Sequence, residues 1–351
     1  MGCSVSTDGC RRAACGLAVL SLLGAAFLSI LANPALAGTE TGEFCPTCPD
    51  WTNLEGWLAQ KEAYEKAQQN GGQQNGVASG GQSSQPDSSS ASSAGSSEGD
   101  GYSMPEILAA AASLSGSAGG SVILDVRSAS DYSSGHIPGA RNIYWKDLQQ
   151  EGGEGLDAGR AASALGRSGV NASDSVIIYG GESGADDSAA FVFWALSYLG
   201  QRQVSLLDGG IGAAEEAGIA LTQNAPSADA VNYTASGKPW LLVTPEDLEG
   251  LLSQADVRVI DARDFSDYGM NRLNRSLSLS QEMVYANSGI KNAGTLKDLF
   301  SRRLTDSGTN IVYGTPEAYS LFFSLELMGY NATLLEGDWW QDMEWTVSDI
   351  S

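Results

Sequence analysis

The sequence predicts an α/β protein made of two successive domains, each a mostly parallel sheet with helices on both faces. Three observations carry that reading. A strand-like run ending in an acid and an arginine occurs twice, as Val122-Ile123-Leu124-Asp125-Val126-Arg127 and as Val257-Arg258-Val259-Ile260-Asp261-Ala262-Arg263. The copies lie about 135 residues apart, and a repeat of domain size means two similar folding units. Short apolar strands alternate with helical segments, the order that lays strands parallel between two helical layers.

The elements follow in order. The chain opens with Arg11-Arg12, an uncharged and mainly apolar stretch at 17–31, and Ala35-Leu36-Ala37. This is the layout of an export signal, so 1–37 reads as a signal peptide cleaved after Ala37. The mature chain is then expected in the periplasm, at the cell surface or outside the cell. Contact with a membrane is expected only through this segment, if it stays uncleaved, and it is short for a span of about 20 residues.

Residues 38–69 hold Cys45-Pro46-Thr47-Cys48-Pro49 and a helix from Trp51 to Lys66 whose apolar side is too small to build a core. Residues 70–101 are almost wholly Gly, Ser, Gln and Asn and are predicted to form a flexible coil with a reach of about 30 Å. The two α/β domains are expected over 102–225 and 226–351, joined near 224–238. Strands are predicted at 122–126, 176–179, 204–207, 257–261, 310–313 and 332–335. Pro105 and Pro245, each followed by an acid, open two equivalent helices at 104–108 and 244–248. Apolar helices follow at 189–199 and near 319–328.

The formal net charge is −23. Phosphate backbones are held by clustered Lys and Arg, so nucleic acid is excluded as a partner. The charge suits solubility in a salty or crowded exterior. Four Asn-x-Ser/Thr triplets, at Asn171, Asn232, Asn274 and Asn331, become glycosylation acceptors only if the chain meets a glycosylating machinery.

Further motifs narrow the class. The first copy continues through Asp131-Tyr132 to Gly135-His136-Ile137-Pro138-Gly139-Ala140-Arg141-Asn142-Ile143. It then shows Ser175-Val176-Ile177-Ile178-Tyr179 and Val204-Ser205-Leu206-Leu207-Asp208-Gly209-Gly210. The second has Asp267-Tyr268, Ile311-Val312-Tyr313 and Thr333-Leu334-Leu335-Glu336-Gly337-Asp338-Trp339, with Trp345 beyond. Over about 102–351 this resembles the rhodanese (thiosulfate sulfurtransferase) family in its tandem form. The second copy departs from the pattern: Gly269-Met270-Asn271-Arg272-Leu273-Asn274 stands where Gly-His-Ile-Pro-Gly-Ala is expected.

The resemblance implies a cysteine at the start of the loop after each Tyr-ending strand. Backbone N–H groups and a helix N-terminus would cradle its thiolate and then its persulfide. Here the loops read Gly180-Gly181-Glu182-Ser183-Gly184-Ala185-Asp186-Asp187 and Gly314-Thr315-Pro316-Glu317-Ala318. Gly180 and Gly314 take the nucleophile's place, and glycine cannot hold covalent sulfur. Pro316 removes one N–H donor. Glu182, Asp186, Asp187 and Glu317 would repel an anionic donor, each by on the order of 3 kcal/mol at about 5 Å and an effective dielectric of about 20. Ser183 and Thr315 are the remaining hydroxyls, without a general base beside them in sequence, so hydrolysis is not expected.

By the same resemblance, Asp125 with Arg127 and Asp261 with Arg263 are expected to form structural ion pairs or loop hydrogen bonds. Together with Glu182, Ser183 and Thr315 they are also the residues that could hold a loop ligand. His136, the single histidine, is expected to be structural, since one histidine alone is a poor metal site. Trp339, Trp340 and Trp345 are expected to pack in the core or at a sheet edge. No metal and no cofactor is expected.

Cys45 and Cys48 are the thiols left after cleavage, and three readings of them stay open: a disulfide, half of a metal site shared between chains, or a tethered redox or sulfur-carrying pair. Two functions remain in view. In one, the protein is a catalytically inactive binding or scaffold module for an unidentified protein or small molecule. In the other, the Cys45/Cys48 pair supplies sulfur chemistry in place of the missing loop cysteines.

Overall fold

The computed structural model describes residues 101–153, 155–181, 186–286, 289–305, 307–343 and 346–348. These all lie in one compact unit. The expected signal peptide, CPTC segment and linker, together with Glu182, Ser183 and Trp345, lie outside the described residues.

The first half carries β1 (Leu108–Ala109), β2 (Val122–Asp125), β3 (Arg141–Asn142), β4 (Ser175–Tyr179) and β5 (Gln203–Leu207). The second carries β6 (Val257–Asp261), β7 (Asn271–Leu273), β8 (Leu277–Ser278), β9 (Tyr285–Ala286), β10 (Gly289–Ile290), β11 (Thr309–Tyr313), β12 (Ala332–Leu334) and β13 (Thr346–Ser348). The first sheet has the order β1-β5-β4-β2-β3 and is parallel throughout. The second is parallel with the order β12-β11-β6-β8, so its strands follow the same winding. Two short antiparallel pairs, β9 with β10 and β7 with β13, complete the second half.

The register explains why the repeated motifs meet. Asp125 lies level with Tyr179, and Asp261 level with Tyr313. Both acids therefore stand at the carboxyl ends of central strands, the edge of a parallel sheet where loops gather into sites.

Alternation along each strand divides the core. In β4, Val176 and Ile178 face one cluster, while Ile177 and Tyr179 face another. In β11, Val312 faces the first of these clusters, and Ile311 and Tyr313 face a third. The cluster that takes Val176, Ile178 and Val312 is common to both halves. It is built around the helices Asp187–Tyr198 and Glu317–Leu327, which are apolar on all sides because each is covered by its own sheet and by the other half. Phe193 meets Phe323 edge-on at 4.9 Å, and Phe191 meets Tyr319 at 5.0 Å. The Trp194 indole N–H donates to the Leu241 carbonyl at 3.0 Å.

One helix expectation is corrected. Pro245–Leu252 is helical as predicted, but the matching segment makes a single tight turn, Pro105–Ile107, and Leu108–Ala109 then pairs as an edge strand with Leu206 and Leu207. The proline starts the turn in both places. The second half makes the same turn at Pro239–Leu241, after which Leu242 bridges Leu334 in parallel, so the structural counterpart of Pro105 is Pro239 and the helix at Pro245 comes one step later in the chain.

Candidate functional site

Both loops at the carboxyl strand ends are filled by the protein's own side chains. After β4 the chain runs through Gly180 and Gly181, and the following helix is capped by Asp186. Asp186 Oδ1 accepts from the backbone N–H groups of Ser188 (3.0 Å) and Ala189 (3.1 Å), and Oδ2 accepts from Gly181 N–H. The Ser188 hydroxyl also donates to this carboxylate. A Cβ placed on Gly180 would stand 2.6 Å from Cγ of Asp186, far inside van der Waals contact. The position is therefore closed to any larger side chain as long as Asp186 stays where it is. Its space belongs to Asp186.

Asp187, expected to repel an anion beside the loop, turns instead into the contact between the halves. Its Oδ1 accepts from Ser320 Oγ and Gln281 Nε2 of the second half.

In the second loop, Gly314 has φ +87°, a left-handed conformation that disfavours any side chain. A Cβ there would press on the aliphatic stem of Arg263, 3.0 Å from Cδ, and lie 3.2 Å from Asp261 Oδ1. Arg263 is held from three sides. Its guanidinium forks onto Asp261 (Nη2–Oδ2 2.6 Å, Nε–Oδ1 3.0 Å) and donates to the Asn271 carbonyl (2.6 Å) and side chain (3.0 Å). It also lies 4.7 Å from the Trp340 ring centroid. Thr315 is half-buried beside it, and Pro316, which has no N–H, precedes the helix Glu317–Leu327.

The first half repeats this clamp. Arg127 forks onto Asp125 (Nη2–Oδ2 2.6 Å), donates to the Gly135 carbonyl (2.8 Å) and lies over the Tyr179 ring. Asp125 and Asp261 have no exposed surface, so both arginine–aspartate pairs act inside the fold. The paired tyrosines Tyr179 and Tyr313 accept from the N–H groups of Ile137 (3.1 Å) and Leu273 (3.0 Å). Burial, with the neighbouring aspartate, pushes both phenols above their ordinary range.

His136 is buried, stacked on Tyr132 at 3.8 Å, with Nδ1 2.8 Å from the Tyr132 carbonyl oxygen. Trp340 is fully buried against Tyr313, and Trp339 is partly buried beside the same cluster. Among the described residues no group of three or more His, Cys, Asp or Glu could hold a metal ion.

Beside the first loop lies an open depression of about 590 Å³, lined by Arg127, Asp131, Tyr144, Trp145, Asp186 and Ser188 among others. Behind Gly180 a cavity of about 30 Å³ opens where Asp186 and Asp208 face Tyr285 and Phe323 of the second half. Reasoning from sequence did not single out Asp208, Tyr285 or Glu336 as site residues. Asp208 and Glu336 sat inside recognised motifs, but their partners come from the opposite half and leave no sequence signal.

The family model described as the rhodanese-like domain matches residues 109–217. A putative thiosulfate sulfurtransferase of Saccharopolyspora erythraea is 34% identical over 111 residues, which is 30% of this chain and 37% of that protein. A probable 3-mercaptopyruvate sulfurtransferase of Pseudomonas aeruginosa is 31% identical over 144 residues, 38% of this chain and 49% of that one. The chain thus spans about a third to a half of the length of these curated relatives. The solved structure of the 3-mercaptopyruvate sulfotransferase SseA of Escherichia coli is similar in fold, with a TM-score of 0.59 at 22% identity over 66% of this chain and 98% of that chain. Residues 109–217 form a rhodanese-like domain, and its relatives by sequence are named as sulfurtransferases.

Proposed function

We propose that this chain is an exported, tandem rhodanese-like protein whose loops no longer carry sulfur and which acts as a binding or scaffold module. One observation carries the reading: the Asp186 carboxylate takes the N–H donors of the first cradle and the volume where a sulfur would sit. A carboxylate so placed both fills the site and repels an anionic donor. Gly314 adds a second bar, because its backbone conformation and the Arg263 stem leave no place for a cysteine side chain. The tandem reading is supported by the run β5-β4-β2-β3 of the first sheet, which the four-stranded second sheet repeats as β12-β11-β6-β8, and by the matching Asp–Arg–Tyr clamps. Export rests on the N-terminal signal alone.

The test uses the full-length chain. It is incubated with thiosulfate or 3-mercaptopyruvate, and each peptide is then mapped for gain of a sulfur atom. The module reading expects none on residues 101–351 and no thiocyanate formation with cyanide. Sulfur mapped to 101–351 would overturn it. Sulfur on Cys45 or Cys48 with turnover would establish the alternative, a tethered CxxC carrier served by the rhodanese-like pair. The linker of about 30 Å reach makes that geometry feasible.

A further inference from the structure

The fold sorts the four Asn-x-Ser/Thr triplets into two kinds. All four asparagines, Asn171, Asn232, Asn274 and Asn331, are exposed. An acceptor of this type must offer its amide together with the hydroxyl two residues on. In two triplets that hydroxyl is shut away. Ser276 is 7% exposed, and its Oγ accepts from the Tyr313 hydroxyl at 3.0 Å. Thr333 is 4% exposed inside β12, and the Asn331 amide donates to Thr309 Oγ1 at 3.2 Å. Ser173 and Thr234 are both exposed, so Asn171-Ala172-Ser173 and Asn232-Tyr233-Thr234 present amide and hydroxyl alike to solvent.

The two open triplets are neighbours. The side chain of Gln201 holds both: its Nε2 donates to the carbonyls of Asn171 (2.8 Å) and Asp174 (2.7 Å), and its Oε1 accepts from the Tyr233 hydroxyl (2.9 Å). Tyr233 is buried and anchors its triplet, with Asn232 and Thr234 exposed on either side of it in an irregular segment. Asn171-Ala172-Ser173 forms the turn that leads into β4, and the Asp174 N–H donates to the Asn171 carbonyl at 3.0 Å. The pair therefore sits at the amino end of β4, while Gly180 and Asp186 stand at its carboxyl end. The 5 residues of that strand separate them by about 16 Å, at about 3.3 Å per residue.

We propose that Asn171 and Asn232 carry N-linked glycans, a paired modification on the amino-end face of the first half. The inference rests on the export reading, since it is on export that a chain meets a glycosylating machinery. The donor is an oligosaccharide carried on a lipid phosphate. The asparagine Nδ2 bonds to the anomeric carbon of the sugar, the sugar–phosphate bond breaks, the phosphate leaves with its lipid, and the amide proton passes to a base of the transferase. Glycans are bulky and solubilising. At this edge they cover the amino-end face and leave the depression lined by Arg127, Asp131, Trp145 and Asp186 clear for a partner.

The test is peptide mapping by mass spectrometry of the full-length protein, purified from the cells that make it. Peptides holding Asn171 and Asn232 should carry a sugar mass, and those holding Asn274 and Asn331 should be largely bare. Thr234→Ala, made in the same cells, should strip the sugar from Asn232 and leave Asn171 modified, while Thr234→Ser should keep both. Thr234 is exposed, so neither change disturbs the core. Bare peptides at Asn171 and Asn232, or sugar confined to Asn274 and Asn331, would overturn the inference. The same digest reads the amino terminus. A chain that starts at Gly38 with both asparagines bare sinks the glycan pair and keeps export. A chain recovered inside the cells with Met1 intact and both asparagines bare sinks the two together.

Discussion

The carboxylate of Asp186 occupies the space above Gly180, so the group that caps the helix also closes position 180 to a side chain. Gly180→Cys alone should place its Cβ against that carboxylate and destabilise the protein by about 1–3 kcal/mol, the usual range for overpacking. Its thiol should gain no sulfur from thiosulfate. Gly180→Cys with Asp186→Ala should recover part of the stability and give a reactive thiol. Thiol titration and sulfur mapping on the two variants check this, and equal reactivity in both would contradict it.

Asp186→Ala by itself removes the cap of Asp187–Tyr198, the helix at the centre of the shared core. Loss of a cap of this type costs about 1–2 kcal/mol, or a fall of several degrees in melting temperature. A thermal melt of full-length protein measures it.

Gly314→Ala should cost about 2–4 kcal/mol, from the left-handed backbone and from contact with the Arg263 stem. Arg263→Lys should cost about 1.5–3 kcal/mol. Lysine keeps the charge but cannot make the fork to the fully buried Asp261 or reach Asn271 in the same geometry. Arg302→Lys, at an exposed pair, should change the urea midpoint very little. Equal effects at 263 and 302 would contradict the clamp.

Glu326 accepts from the Ala332 N–H at 3.3 Å, and burial raises its pKa to about 6 despite the attraction of Lys238. Folding therefore favours the protonated form, and ionisation at neutral pH opposes the fold. Glu326→Gln should raise stability by about 1–2 kcal/mol near pH 7.5, discounted for partial exposure, and by nothing near pH 4. Urea unfolding at the two pH values tests the crossover.

Much of this architecture was legible in the chain. The strand runs, the two Asp–x–Arg motifs and the all-apolar helices are local patterns whose periods report burial. The edge strand Leu108–Ala109 was not legible, because its extended form comes from β5, nearly a hundred residues away. That glycines, Gly180 and Gly314, open the two loops was plain in the chain. That Asp186 fills the first cradle was not, since sequence separates it from Gly180 by a loop whose closure brings the two together.

By itself the sequence determined the strand and helix order, the repeated motif, the acidic charge and the glycines at 180 and 314, because each is set by residue identity and spacing. The tertiary structure alone decided that Asp187, Asp208 and Glu336 meet the opposite half. Their pKa directions depend on desolvation and on partners contributed by distant segments, which no local pattern records.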